Sequence, residues 1–174
     1  MEFIFTLKYQ LAVPHDDVDT LLERLAEAGC DDALVGIGLP GRLALEFSRE
    51  AHSAQDAVLS ALADVKTAIP SARLIEASPD WVGLSDVGEV LGISRQAIRK
   101  LMMSHRGSFP LPIHEGSASI WHLAEVLAWF SQRGGYQIDD AVLEVSKVTL
   151  AVNVAKEACR HPMTENSGIE LLTA

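Results

Sequence analysis

Residues 84–101 constrain the fold of this chain more than any other stretch. They read Leu84-Ser85-Asp86-Val87-Gly88-Glu89-Val90-Leu91-Gly92-Ile93-Ser94-Arg95-Gln96-Ala97-Ile98-Arg99-Lys100-Leu101. Two short helices joined at a steep angle need a small residue where they cross, and Gly88 supplies it. They also need a residue that tolerates positive φ at the turn, which Gly92 provides. Apolar side chains must fill the wedge between the helices, and Val87, Leu91, Ile93, Ile98 and Leu101 stand where the wedge requires them. Ser94 is a good N-cap for the second helix. The segment is expected to form a helix-turn-helix. Its spacing turns Ala97, Ile98 and Leu101 toward the first helix and leaves Arg95, Gln96, Arg99 and Lys100 outward.

The next residues extend the unit. Phe109–Ile113 and Ala118–Trp121 read as two short strands around a Gly116-containing turn, a wing, and Leu123, Val126, Leu127 and Phe130 form a helix face behind it. With Gly92-Ile93-Ser94, Phe109-Pro110-Leu111-Pro112, Trp121 and Trp129-Phe130 in place, residues 81–131 resemble the excisionase-like and MerR-like winged helix-turn-helix families. The resemblance implies a domain, residues 81–135, that binds double-stranded DNA. Residues near the start of such a second helix reach base edges, so Arg95, Gln96 and Arg99 are the expected readers, Arg for guanine and Gln for adenine. Lys100 and Arg106 are expected to hold phosphates, and Ser94 and Ser117 complete the candidate DNA-binding set. The wing departs from the pattern: Glu115, Ser117 and Ser119 stand where basic residues are common, so Arg106 and His105, His114 and His122 are left to supply charge. Those histidines match no metal-ligand spacing, and the cysteines of the metal-sensing MerR-like branch have no counterpart, so neither a metal nor another cofactor is expected.

The stretch before this unit alternates between strand and helix patterns. Phe3–Leu11 reads as a strand, and Pro14-His15-Asp16 as the cap ahead of a helix carrying Val18, Leu21, Leu22, Leu25 and Ala28, which Gly29 ends. Ala33–Leu39 and Leu43–Phe47 read as a hairpin around Pro40-Gly41-Arg42. Ser53 and Asp56 give a capping signal for a second helix along Val58, Leu62, Val65 and Ile69, and Arg73–Glu76 is a last strand. The order predicts a ferredoxin-like βαββαβ domain over residues 1–78, an antiparallel sheet with both helices on one face, joined by a Ser78-Pro79-Asp80 linker. The whole chain is therefore expected to be α+β. Gly36-Ile37-Gly38-Leu39-Pro40-Gly41 matches the letters GxGxxG of a dinucleotide loop. That loop requires a helix after it, whereas Leu43, Leu45 and Phe47 alternate as a strand does, so the hairpin reading stands.

The run without Gly or Pro from Asp139 to His161 predicts a C-terminal helix over residues 139–160, with a loose tail from 161 to 174. Val142, Val145, Thr149, Val152 and Cys159 lie at near-heptad spacing, and two apolar faces on one helix point to packing against another chain, hence a homodimer, held by this helix or, second to it, by the sheet of the N-terminal domain.

Charge adds a constraint. Lys and Arg number 14 against 24 Asp and Glu, a formal charge of −10. Residues 1–79 hold six against thirteen and residues 136–174 three against six, while residues 80–135 hold five of each. The positive charges of the middle segment cluster at Arg95, Arg99, Lys100 and Arg106, and the field at a DNA groove is local because salt screens it beyond about 8 Å. No apolar run approaches the ~20 residues of a membrane span, and the start lacks a basic leader, so the chain reads as cytoplasmic. Cys30 and Cys159 read as two reduced, structural thiols. No nucleophile with its base, paired carboxylates or phosphate loop stands in a context that supports catalysis, so no enzymatic activity is expected. The leading reading is a sequence-specific DNA-binding transcriptional regulator. The alternatives are an antitoxin-like protein that masks a protein partner through its acidic arm, and an excisionase-like architectural factor.

Overall fold

The computed structural model describes residues 1–12 and 17–162. The first part of the chain forms β1 (Glu2–Gln10), α1 (Val18–Glu27), β2 (Ala33–Ile37), β3 (Arg42–Glu50), α2 (Ala54–Ala68) and β4 (Arg73–Ser78). The four strands make one sheet in the order β2-β3-β1-β4, with every neighbouring pair antiparallel. This is the ferredoxin-like order expected from the sequence. Strand alternation decides which face is covered: Phe3, Phe5, Leu7 and Tyr9 of β1 and Leu43, Leu45 and Phe47 of β3 are buried beneath the helices, and Phe5 stacks on Phe47 at 5.2 Å. Leu21 and Leu25 of α1 and Ala57, Val58, Ala61 and Val65 of α2 close that core.

The caps were largely local. Ser53 accepts a hydrogen bond from the Asp56 amide at 3.0 Å, as its position before α2 implied. The cap of α1 is Asp17, one residue beyond the expected Asp16, which lies outside the described residues. The hairpin strand β2 stops at Ile37, two residues short of Leu39, and Gly41 takes φ +76° to turn the chain into β3.

One charged side chain lies inside this arm. Arg49 at the end of β3 uses all five of its N–H donors: two on Asp32, one each on Asp64, Ser60 and the Gly29 carbonyl, at 2.7–3.0 Å. The Asp32 hydrogen bonds, with the one to Asp64, hold its pKa above the ordinary value, so the buried guanidinium stays charged and satisfied. It ties the end of α1, the start of β2 and α2 to β3.

The rest of the chain forms β5 (Trp81–Val82), α3 (Leu84–Leu91), α4 (Arg95–Ser104), β6 (Trp121–His122), α5 (Leu123–Arg133) and α6 (Asp140–Arg160). A second core gathers Val82, Val87, Leu91, Ile98, Phe109, Trp121, Leu123, Val126, Leu127 and Phe130. The final helix serves both cores. Val145 is buried in the first core with Val148 and Val152 packed against it, while Val142 and Leu143 pack against the second. The two apolar faces that pointed to another chain are thus both covered within this one. Between them runs a buried polar strip, Ser146, Thr149 and Asn153.

That strip explains the segment expected to be a linker. The Asn153 amide pairs with both backbone groups of Ala77, accepting from its N–H at 2.9 Å and donating to its carbonyl at 2.8 Å, so α6 closes the free edge of β4. Thr149 Oγ1 donates to the Pro79 carbonyl at 2.6 Å, and Lys156 donates to that of Ile75. Asp80 is fully buried. Its Oδ2 accepts from Asn153 at 2.8 Å, its Oδ1 meets His122 Nδ1 at 2.6 Å, and its carbonyl accepts from the Leu123 amide at 2.7 Å. Ser78-Pro79-Asp80 is a fixed junction rather than a tether. The expected loose tail falls almost wholly on residues 163–174, outside the described residues. Among the described residues no helix is long and apolar enough to cross a membrane.

Candidate nucleic-acid interface

The helix pair α3–α4 is held by the residues that marked it in the sequence. Asp86 Oδ2 accepts from the Gly83 amide at 2.7 Å and starts α3. Gly92 takes φ +64° and ends it in the left-handed conformation, where a β-carbon is strained. At Gly88 a β-carbon would stand 2.6 Å from the Ile93 carbonyl oxygen, so the backbone of the turn lies directly on α3 and only glycine permits the approach. Val87 and Ile98 are fully buried in the wedge, and Ile93 and Leu101 pack on it. Ser94 Oγ accepts from the Ala97 amide at 3.2 Å, a cap of about 1 kcal/mol.

This packing leaves one face of α4 open. Arg95, Gln96, Arg99 and Lys100 are all exposed, and none has a hydrogen-bond or ion-pair partner among the described side chains. Ala97, expected to face α3, is exposed as well, because Ile98 and the half-buried Leu101 suffice to fill the wedge. Arg106 is exposed in the turn after α4, where its guanidinium lies 3.6 Å from Met103 Sδ. The exposed set therefore runs from the start of α4 to the turn beyond it.

The wing is smaller than its sequence implied. Two strands were expected over Phe109–Ile113 and Ala118–Trp121; only one bridge, His114 to Ile120, joins them, and Ser117 sits exposed at the tip. The second half of the wing continues into β6, whose Trp121 and His122 pair antiparallel with Val82 and Trp81 of β5. The prolines explain the short ladder, since Pro110 and Pro112 have no N–H to donate. Phe109 is instead fixed by aromatic contacts. Its ring meets Trp121 at 6.3 Å and Trp129 at 5.1 Å, both edge-on, and Trp121 Nε1 donates to the Pro110 carbonyl at 3.2 Å. Trp129 and Phe130 extend the series to Tyr136.

The three histidines separate. His114 is exposed in the wing, and His105 caps α4 beside Trp129 at 5.8 Å. His122, counted among the charges for DNA, points inward to Asp80 and belongs to the junction. Sequence reasoning missed this role because its partner lies 42 positions away. No curated protein and no solved structure matches the chain. Residues 81–134 match the family model described as Prophage CP4-57 regulatory protein (AlpA), and this part of the chain is a domain of that family.

Proposed function

We propose that the protein is a sequence-specific double-stranded DNA-binding regulator that inserts α4 into the major groove. The observation that carries the reading is the open face of α4: three cations and an amide, without partners among the described residues, on a helix locked in place by Gly88 and capped by Ser94, within a domain of a regulatory family. Arg95, Gln96 and Arg99, at the start of the helix, contact base edges. Lys100 and Arg106 hold phosphates. The Ser94 hydroxyl, which accepts the cap bond through its oxygen, keeps its hydrogen for a phosphate at the helix N-terminus, and Ser117 touches the backbone from the wing tip.

A single domain whose wing carries Glu115 and no Lys or Arg, in a chain of charge −10, releases few counterions, so affinity requires two copies. A dimer makes the second half-site contact intramolecular and raises avidity by roughly 10²–10⁴. With both apolar faces of α6 occupied, the copies meet through the sheet arm, where β2 is an open edge strand with Leu34 73% exposed and Ile37 48% exposed. Sedimentation tests this: the full chain is a dimer and Leu34→Glu makes it a monomer.

Selection of binding sites from random duplex DNA tests the function. A recovered twofold site supports it, and an even spread of sequences removes it. On the selected site Arg99→Ala costs about 1–3 kcal/mol and relaxes specificity, whereas Lys100→Ala weakens all sequences alike and lowers the salt dependence. Equal behaviour of the two variants would mean the faces of α4 are misassigned.

A further inference from the structure

Where the strand ends carrying Gln10, Arg42 and Arg73 meet the last turns of α6, the surface forms a groove of about 760 Å³, with Leu74, Ile75, Trp81, Lys156, Glu157, Cys159 and Arg160 completing its walls. Its charge runs against that of its surroundings. Residues 1–79 and 136–174 are both strongly acidic, yet two of the six cations of the first and two of the three of the second line this one cavity. Among the described residues the only carboxylate on its wall, Glu157, is engaged by Lys156 at 2.8 Å.

The arginines are also unlike those elsewhere in the arm. Arg49 is saturated by acceptors and Arg24 donates to the Ala68 carbonyl, whereas Arg42, Arg73 and Arg160 have no hydrogen-bond or ion-pair partner among the described side chains. Three exposed guanidinium groups around one cavity give it a positive local potential that favours an anion, and the planar fork of arginine fits phosphate oxygens in pairs. The floor is different in kind. Leu74 and Ile75 are apolar, and Trp81 is 38% exposed with the Lys156 ammonium 5.1 Å from its ring centroid. A volume in the range of ordinary ligand sites, cations at the rim and an indole on the wall suit a small molecule with phosphate groups at one end and a flat ring at the other.

We propose that this groove is a binding site for a nucleotide-class organic phosphate, its phosphates held by Arg42, Arg73 and Arg160 and its ring laid against Trp81. The site is separate from α4 and stands whether or not α4 reads DNA. A ligand there touches the sheet arm, α6 and the first residue of the AlpA-type domain together.

Titration calorimetry of the full chain with ADP, inorganic pyrophosphate and adenosine tests the proposal, with maleimide labelling of the exposed Cys159 as a second readout. ADP binds one site per chain and slows labelling of Cys159. Pyrophosphate binds about tenfold more weakly, because it lacks the ring, and adenosine more weakly still. Arg73→Ala and Arg160→Ala each weaken ADP by about tenfold, the loss of a charged hydrogen bond, and Trp81→Phe removes the advantage of ADP over pyrophosphate. All three surface variants are checked for an unchanged melting curve. Three results overturn the proposal: no binding of ADP at millimolar concentration, ADP binding that Arg73→Ala and Arg160→Ala leave intact, or ADP binding abolished by Arg99→Ala instead. A fourth assigns the groove differently: if the arginine variants lower the salt dependence of duplex binding while ADP does not bind, the groove holds a DNA backbone and not a small molecule.

Discussion

The sheet arm and the AlpA-type domain each close around an apolar core of their own, but the surface along which they meet is sealed by hydrogen bonds. Within the arm, aliphatic residues and two stacked phenylalanines lie under the helices; within the AlpA-type domain, Phe109, Trp121, Trp129 and Phe130 form a chain of edge-on rings. At the junction the fully buried groups are instead Asp80, Ser146, Thr149 and Asn153, with His122 reaching in from β6. Apolar contact is tolerant of orientation, whereas a buried carboxylate that loses its hydrogen-bond donors is penalised heavily. The two parts are held in a fixed relation by polar groups whose hydrogen bonds are directional.

The largest effect therefore belongs to Asp80. Asp80→Ala leaves His122 Nδ1 without its partner and one of the two Asn153 Nδ2 hydrogens without an acceptor, the other staying on the Ala77 carbonyl, and is expected to cost about 3–5 kcal/mol in urea unfolding. A loss below about 1 kcal/mol would mean that the junction is no more than a contact between independent units. Gly88→Ala comes next. The added β-carbon must displace the Ile93 carbonyl, at a cost of about 1–3 kcal/mol confined to the AlpA-type domain. Hydrogen exchange of β1 and β3 should stay unchanged while that of α3 and α4 rises; equal loss in both parts would show that the junction spreads the strain.

Ser94→Ala is expected to cost about 1 kcal/mol through the lost cap of α4, and to weaken DNA binding by more than that figure if its hydroxyl also meets a phosphate. A smaller effect separates the two thiols. Burial, with the nearby Asp64 carboxylate, pushes the Cys30 thiol up to about 11, so thiolate forms there only in strong alkali. Cys159, read from sequence as structural, is exposed because it lies on the open side of α6 near its end. A disulfide reagent at neutral pH should label Cys159 promptly and Cys30 only on unfolding. Two thiols labelled at the same rate in the native protein would mean that the arm opens easily.

Sequence alone determined the helix-turn-helix, the order of the ferredoxin-like elements and the face of α4 that carries Arg95, Gln96, Arg99 and Lys100. Each of these rests on neighbours within a few positions: a cap and the amide three residues on, a glycine and its own φ, an apolar period of two or 3.6. Tertiary structure alone decided the course of α6, the burial of Asp80 and the grouping of Arg42, Arg73 and Arg160. Asn153 and Ala77 are 76 positions apart, and Thr149 and Pro79 are 70 apart, so no local pattern records them. A polar residue on a helix reads as solvent-facing until the chain that satisfies it is in place. Charges read as scattered until the fold brings strand ends and a helix end to one groove. Local patterns fix what each segment becomes, while hydrogen-bond partners and charge clusters depend on which segments meet.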